Sequence, residues 1–549
     1  MHRRSTAARA TLLISVLTAA ALGLAGCTAD PDENGPAVTG IIPAPASFTL
    51  TGGQPFTLTA DSRLVAVGDG AAAAAETFAA PARAATGFAL PVVEGEAAAS
   101  DIALVVADGE ADGANEGYTL EIGGDGVRIG AATAAGLFWG TQSLRQLLPA
   151  DIGRTDDPTP PQGGWVVPAA SVADQPRFAY RGAMLDVARH FFSVEEVLRF
   201  VDAIALLKLN VLHLHLTDDQ GWRLEIESWP ELTGIGASTS VGGAGGGFYT
   251  HDDYRRIVAY AAERFVTIVP EIDLPGHTSA ALSAYPELNC DGAAPAPYEG
   301  IEVGFSSLCA APERADTTDR FLADVTREVA ELTPGPWLHL GGDESLATPA
   351  DAYLDLVRRI AQAGAATGKT LIGWHEMGAS RELPPGTVGQ YWSFVEPAGD
   401  AVAQTRSFVE QGGQVILSPA DVAYLDMTYA GDPQTPLGRP IGQDWAKGPT
   451  TLEEAYLWEP TAIVPGIGED DILGLEAPVW TETLTTMSEV EFMVFPRIAA
   501  IAELAWSPRP DADTIRETGE FFARVARFGQ HLDAMGVAYH RVPEIAWAE

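Results

Sequence analysis

Two rhythms of apolar and polar residues divide the chain. Across 41–170, short runs at 47–50, 56–58, 102–107, 118–122 and 126–129 read as strands, and two longer stretches, 71–86 and 132–148, carry helical spacing. This mixture predicts a small α+β domain, with a Pro- and Gly-rich loop at 157–164 near its end. From 171 the rhythm changes. Eight short apolar runs, at 181–187, 210–216, 267–272, 337–340, 370–374, 388–392, 414–417 and 472–476, alternate with longer stretches of helical period, such as 194–207, 252–265, 318–332 and 350–363. Strands alternating with helices imply parallel pairing with helical crossovers. Eight such units predict an α/β fold of the (β/α)8 type, a TIM barrel, over 171–549, with a last helix at 490–506. An open doubly wound sheet is the alternative, but no glycine-rich phosphate loop follows the first strand.

The first residues follow neither rhythm. Arg3, Arg4 and Arg9 precede an apolar run at 12–24, too short for a spanning helix, which ends in Leu24-Ala25-Gly26-Cys27. This resembles the lipobox of bacterial lipoproteins. Residues 1–26 then form an export signal, Cys27 is the lipidation site, and 27–40 is a polar tether holding the protein outside the cytoplasm on the cell membrane. An ordinary secretory signal with a chance cysteine is the alternative. Cleavage before Cys27 leaves 30 basic and 74 acidic residues, a net charge of −44. Such a surface repels polyanions, so nucleic acid is not an expected partner. The remaining cysteines, Cys290 and Cys309, are expected to pair in an exported protein, which stabilises the fold by about 3 kcal/mol in the chain-entropy model.

A barrel builds its active site at the C-terminal ends of its strands. Reading only those ends yields Asp186 and Arg189, then Asp218-Asp219, then Glu271, Asp273 and His277, then Gly341-Gly342-Asp343-Glu344. Trp374, Trp392, Tyr424 with Asp426, and Trp480 with Glu482 follow. Carboxylates interleaved with indoles suit sugars, whose apolar face packs on a ring and whose hydroxyls need donors and acceptors. Cleaving a glycosidic bond needs an acid at the leaving oxygen and a negative or nucleophilic group at the anomeric carbon. Asp343-Glu344 is the sharpest local signal, because adjacent like charges raise one pKa and keep a carboxyl protonated near neutral pH. A helix N-cap enriched in acids is the structural alternative.

These residues lie in longer motifs. His339-Leu340-Gly341-Gly342-Asp343-Glu344 resembles the signature of glycoside hydrolase family 20, the β-N-acetylhexosaminidases. So do Arg181 to Asp186 running into Arg189-His190, His213 to Gln220, Pro270 to His277, Tyr424-Leu425-Asp426 and Trp480-Thr481-Glu482. The resemblance implies substrate-assisted retention, in which the substrate's own 2-acetamido oxygen attacks the anomeric carbon to form an oxazolinium intermediate. It implies that Glu344 is the general acid and then the base, that Asp343 holds the acetamido N–H, and that Tyr424 donates to the acetamido oxygen. Trp374, Trp392 and Trp445 would box the acetamido methyl, and Trp480 would stack under the ring. Arg189, Asp426 and Glu482 would bind outer hydroxyls, and Asp218 and His277 would orient and tune the acid. An N-acetylhexosamine-terminated oligosaccharide or glycan is the implied partner. A disulfide between Cys290 and Cys309 matches many members. The Pro- and Gly-rich loop at 429–443 departs from the pattern, leaving Trp458 as the alternative to Trp445.

Other readings of the same residues differ. His213 and His215 share a strand face and, with Asp218 and His277, could suggest a metal-dependent amidohydrolase. The favoured reading makes them hydrogen-bonded barrel-interior residues, and no metal or cofactor is expected. Asp219 and Glu376 read as supporting residues, and Glu503 and Trp506 as packing for the last helix. A glycosidase using Glu482 as nucleophile and a non-catalytic sugar-binding lipoprotein are the other function classes.

Overall fold

The computed structural model describes residues 40–107, 116–154, 160–431, 434–509 and 516–547. The expected export signal, Cys27, nearly all of the expected tether and residues 157–159 of the expected boundary loop lie outside them. No described helix is long and apolar enough to cross a membrane.

The first domain is a seven-stranded mixed sheet in the order Ser47–Leu50, Ala170–Asp174, Tyr118–Gly123, Gly126–Ala131, Ile102–Val106, Leu64–Val67, Val92–Val93. Helices Ala71–Thr86 and Ala134–Leu147 pack on it. The four strands at 64–67, 92–93, 165–167 and 170–174 were not expected, because their apolar runs are short and lack clean alternation. Ala170–Asp174 pairs between Ser47–Leu50 and Tyr118–Gly123, so the sheet continues past 170.

Eight parallel strands then close a barrel: Tyr180–Asp186, Val211–His215, Thr267–Glu271, Trp337–His339, Thr370–Trp374, Val388–Tyr391, Val415–Leu417 and Ile472–Val479. The first pairs with the last, Arg181 opposite Leu475, which rules out an open sheet. The helix expected at 490–506 is two helices, Met487–Val494 and Arg497–Trp506. Pro496 between them has no N–H to give and breaks the ladder. A further helix, Thr518–Ala534, follows and buries Phe521, Val525, Phe528 and Leu532.

The bottom of the barrel meets the first domain through buried charge. Lys208 is fully buried, with Nζ 2.8 Å from both Asp174 Oδ2 and the Tyr118 hydroxyl, under the Trp506 ring. Trp506 Nε1 donates to the other Asp174 oxygen at 2.9 Å. Arg181 beside them forks onto Glu116 at 2.7 and 2.9 Å. Asp174 comes from the sheet and Glu116 from the turn just before its strand Tyr118–Gly123, while Lys208 and Arg181 come from the barrel. Glu503 pairs with Arg524 of the helix Thr518–Ala534.

Candidate active site

At the opposite, C-terminal end of the strands lies a cavity of about 760 Å³. Its wall includes Arg189, His277, Asp343, Glu344, Trp392, Tyr424, Trp445, Trp480 and Glu482 of the expected set.

Asp343 and Glu344 follow the strand Trp337–His339 through two glycines in left-handed conformations, Gly341 at φ 65° and Gly342 at φ 113°. A Cβ on Gly341 would sit 1.7 Å from Asp273 Oδ1, and one on Gly342 would sit 2.2 Å from Met377 Cγ. Only glycine lets the chain turn here with the two acids aimed into the cavity. Glu344 itself is held at φ 43° and His277 at φ 52°, strained values for residues with side chains. These two strained residues face each other, with His277 Nε2 3.5 Å from Glu344 Oε2 and 3.6 Å from Asp343 Oδ2. The other ring nitrogen, Nδ1, lies 3.3 Å from Asp218 Oδ1. Asp218 in turn meets Arg189 Nη2 and His215 Nε2, each at 2.8 Å.

Burial, reinforced by Glu344, pushes the Asp343 carboxyl up to about 6, against the pull of His277. The expectation from sequence assigned this effect to adjacent like charges; removal from water is the larger cause. Burial opposes the charge on His277, but Asp218 and Asp343 lift it well above the usual imidazole range. Asp218 stays ionised, because Arg189 and His277 outweigh its burial. Burial, then Asp343, hold the Tyr424 hydroxyl well above its ordinary value, so it is a donor at neutral pH.

The aromatic wall resolves one open position. Trp445 is 45% exposed, with its ring 6.0 Å from Trp392 and 5.8 Å from Tyr424. Trp458 is buried in the core, donating to the Ala455 carbonyl. Trp374 and Asp426, also of the expected set, are buried against Trp480 of this wall. Trp374 packs on Trp480 at 6.0 Å and on His339 at 4.9 Å, and its Nε1 donates to Glu271. Asp426 accepts from the Trp480 backbone N–H at 3.4 Å. The Arg189 guanidinium lies 4.7 Å over the Trp480 ring.

Among the described residues, Arg189 Nε, Asp343 Oδ1, Asp426 Oδ2 and Glu482 Oε2 are buried polar atoms without a hydrogen-bond partner. Buried polar atoms are otherwise nearly always paired, so such atoms gathered on and beside one cavity suit a ligand rich in hydroxyl or amide groups.

Glu376 was expected only to support the site, yet it lines the cavity, accepting from Trp392 Nε1 at 2.9 and 3.1 Å. Burial, then Asp343, push its carboxyl up to about 8. His375, Phe394 and Gln443 also line the wall unforeseen. Cys290 and Cys309 form a disulfide, and the loop they close brings Ile301 and Val303 to the cavity rim. His213 and His215 are fully buried in the barrel and meet Glu476, Glu271 and Asp218. His213 with Glu271 and His339, and separately His215 with Asp218 and Asp273, lie close enough together to have suited a metal ion. Asp219 accepts from Ser279 N–H and Ser306 Oγ.

The site thus offers a carboxyl able to give and take a proton, a buried acceptor beside it, a phenolic donor and indole surfaces. Known proteins share its frame. The description "Glycosyl hydrolase family 20, catalytic domain" matches residues 178–350 and 346–509, and "Glycosyl hydrolase family 20, domain 2" matches 38–175. A beta-N-acetylhexosaminidase of Cellulomonas fimi is 40% identical over 92% of this chain and 97% of its own. The structure of the family 20 beta-N-acetylhexosaminidase from Streptomyces coelicolor A3(2) is 44% identical, with a TM-score of 0.86 over 93% of this chain and 99% of that one. A mutant Streptomyces plicatus beta-hexosaminidase in complex with product (GlcNAc) is 42% identical, with a TM-score of 0.85 over 93% of this chain and 98% of that one. Both domains, over nearly their whole length, are therefore accounted for by one lineage of sugar-cleaving enzymes: the chain belongs to glycosyl hydrolase family 20 and is a glycoside hydrolase.

Proposed function

We propose that the chain is an exo-acting β-N-acetylhexosaminidase that removes terminal N-acetylhexosamine residues with retention, using the substrate's acetamide as nucleophile. The observation that carries this reading is the pairing of Asp343 and Tyr424 on one cavity wall. Asp343 presents a buried oxygen with no protein partner, and Tyr424 a hydroxyl held in its donor form. An acceptor and a donor side by side complement the N–H and C=O of an amide, and the indoles beside them suit its methyl group.

In this reading Glu344 protonates the glycosidic oxygen as the C1–O bond breaks, while the acetamido oxygen bonds to C1. Asp343 accepts the N–H and balances the positive charge that grows on the oxazolinium ring. Tyr424 aims the acetamido oxygen. Water then adds to C1, Glu344 takes its proton, and the ring opens to the retained sugar. Binding at Arg189, Asp426 and Glu482 leaves their unpartnered atoms matched to hydroxyls. A sugar lacking the acetamide would leave Asp343 and Tyr424 unmatched, which costs affinity and rate together.

Release of p-nitrophenol from the N-acetyl-β-glucosaminide but not from the plain β-glucoside, with EDTA making no difference, is the expected result. Equal cleavage of the glucoside would sink substrate assistance and point to Glu482 as nucleophile, and loss of activity in EDTA would revive the metal reading of His213 and His215.

Asp343 must be ionised to hold the N–H, and its carboxyl sits at about 6. We expect kcat/KM to fall as pH drops through about 6, approaching tenfold per unit below it. A profile flat down to pH 4.5 would remove Asp343 from that role.

The export signal and acylation of Cys27 are also proposed, supported by the basic start, the apolar run and the Leu-Ala-Gly-Cys sequence. Cys27→Ser should move the protein from the membrane pellet to the soluble extracytoplasmic fraction. Unchanged sedimentation of the variant would argue against a lipid anchor.

A further inference from the structure

Behind the cavity, buried ionisable groups form a continuous line up the barrel axis. The Tyr180 hydroxyl donates to Glu476 on the last strand. Glu476 Oε1 lies 2.9 Å from His213 Nδ1, and His213 Nε2 lies 3.0 Å from Glu271 Oε2. The same Glu271 oxygen meets His215 Nδ1, whose Nε2 is 2.8 Å from Asp218, and Asp218 holds His277 against Glu344. Glu271 is the branch point. Its other oxygen, Oε1, accepts from Trp374 Nε1 at 2.8 Å and lies 3.0 Å from His339 Nδ1. Glu271, His213, His215 and His339 are all fully buried.

A carboxylate in this position is costly unless it organises its neighbours. Burial opposes the charge on Glu271, but His339, His215 and His213 hold its carboxyl well below the usual range. Glu476, Asp218, Asp273, Asp343 and Arg189 complete the ionisable groups close to it or to the imidazoles it touches, and burial, then Asp343, hold the Asp273 carboxyl well above the usual range. Signs therefore alternate from carboxylate to imidazole toward His277. Rotation of the Glu271 carboxylate to suit one arm would disturb the other.

Resting on the hexosaminidase reading, we propose that Glu271 is a positioning residue that couples the two halves of the reaction: one oxygen fixes the Trp374 indole beneath the acetamide pocket, and the other, through His215 and Asp218, fixes the histidine that faces the general acid. The acetamide nucleophile and the proton donor are thereby set by one carboxylate.

The direct variant, Glu271→Gln, should raise KM for the p-nitrophenyl N-acetyl-β-glucosaminide several-fold. It should also lower kcat and shift the pH profile of kcat/KM, at a circular dichroism spectrum matching the parent. A folded Glu271→Gln protein with the parent's KM and pH profile would overturn the proposal. Because this residue is buried among imidazoles, a second measurement guards against misfolding. Trp374→Phe removes the indole donor while keeping an aromatic ring against His339 and Trp480, and His215→Asn cuts the other arm. Each alone should move one parameter, KM for the first and the pH profile for the second. In the double variant the losses in kcat/KM should depart from multiplicativity by more than threefold, as expected for two groups sharing one partner. Independent, multiplicative losses would overturn the proposal. The acetamide requirement of the parent enzyme is measured first on the same substrates. Its absence would sink the hexosaminidase reading, whereas its presence with multiplicative losses would sink only the role of Glu271.

Discussion

Glu344→Gln should slow turnover of an N-acetylglucosaminide with a poor leaving group by roughly a thousandfold, the range a positioned general acid contributes, while binding of N-acetylglucosamine is kept. The amide has nearly the same shape and still meets His277, but it has no proton to give to an alkoxide. A thousandfold is about 4 kcal/mol of transition-state stabilisation. A p-nitrophenyl leaving group needs little help to depart, so its bond-breaking step should suffer far less, with hydrolysis of the intermediate becoming limiting. The measurement is a series of aryl glycosides of increasing leaving-group pKa. A steep dependence of kcat/KM on that pKa, absent in the parent, identifies the acid. Parallel losses of affinity and rate across the whole series would show a structural role for Glu344 instead.

Asp343→Asn is expected to lower kcat/KM by roughly a hundredfold or more for every leaving group, good ones included. Its carboxylate acts on the nucleophile, so its loss weakens the first step even where the acid is not needed. The variant should also lose the pH dependence near 6, because the group that titrates there has gone. The two variants therefore separate on one plot: Glu344→Gln tilts it and Asp343→Asn lowers it. Kinetics unchanged from the parent would remove Asp343 from the reaction.

Much of this architecture is visible in the unfolded chain. The eight barrel strands were placed within a few residues, since each is a short apolar run that must be buried on both sides and so stands out from the longer helical periods between them. Their ends carry Asp343, Glu344, Tyr424 and Trp480, because a barrel brings strand ends together however far apart they are in sequence. Pro496 could have been read as a helix break, but the apolar pattern on either side of it is continuous. Trp445 and Trp458 could not be told apart locally. Trp445 follows an irregular stretch and Trp458 closes the helix Leu452–Leu457, and only packing decides which indole meets solvent. That Glu376 reaches the cavity wall could not be read locally, because a carboxyl beside a tryptophan has no signature of its own; its exposure to the cavity depends on how the chain turns after the strand Thr370–Trp374. Glu271 and His213 reveal their partners only when five strands are wrapped around one axis.

The charged seam beneath the barrel has a consequence for how the molecule can vary. Lys208 and Arg181 belong to the barrel, but the acids that neutralise them, Asp174 and Glu116, come from the first domain. A barrel severed from its first domain would turn two cations, and the Trp506 face between them, toward water with nothing to answer them. The small domain, none of whose described residues lines the sugar cavity, is thus a fixed half of one cooperative unit. Exchange of that domain between relatives would be tolerated only where both sides of the seam travel together, so inheritance of the pair, rather than shuffling of the parts, is what this interface favours.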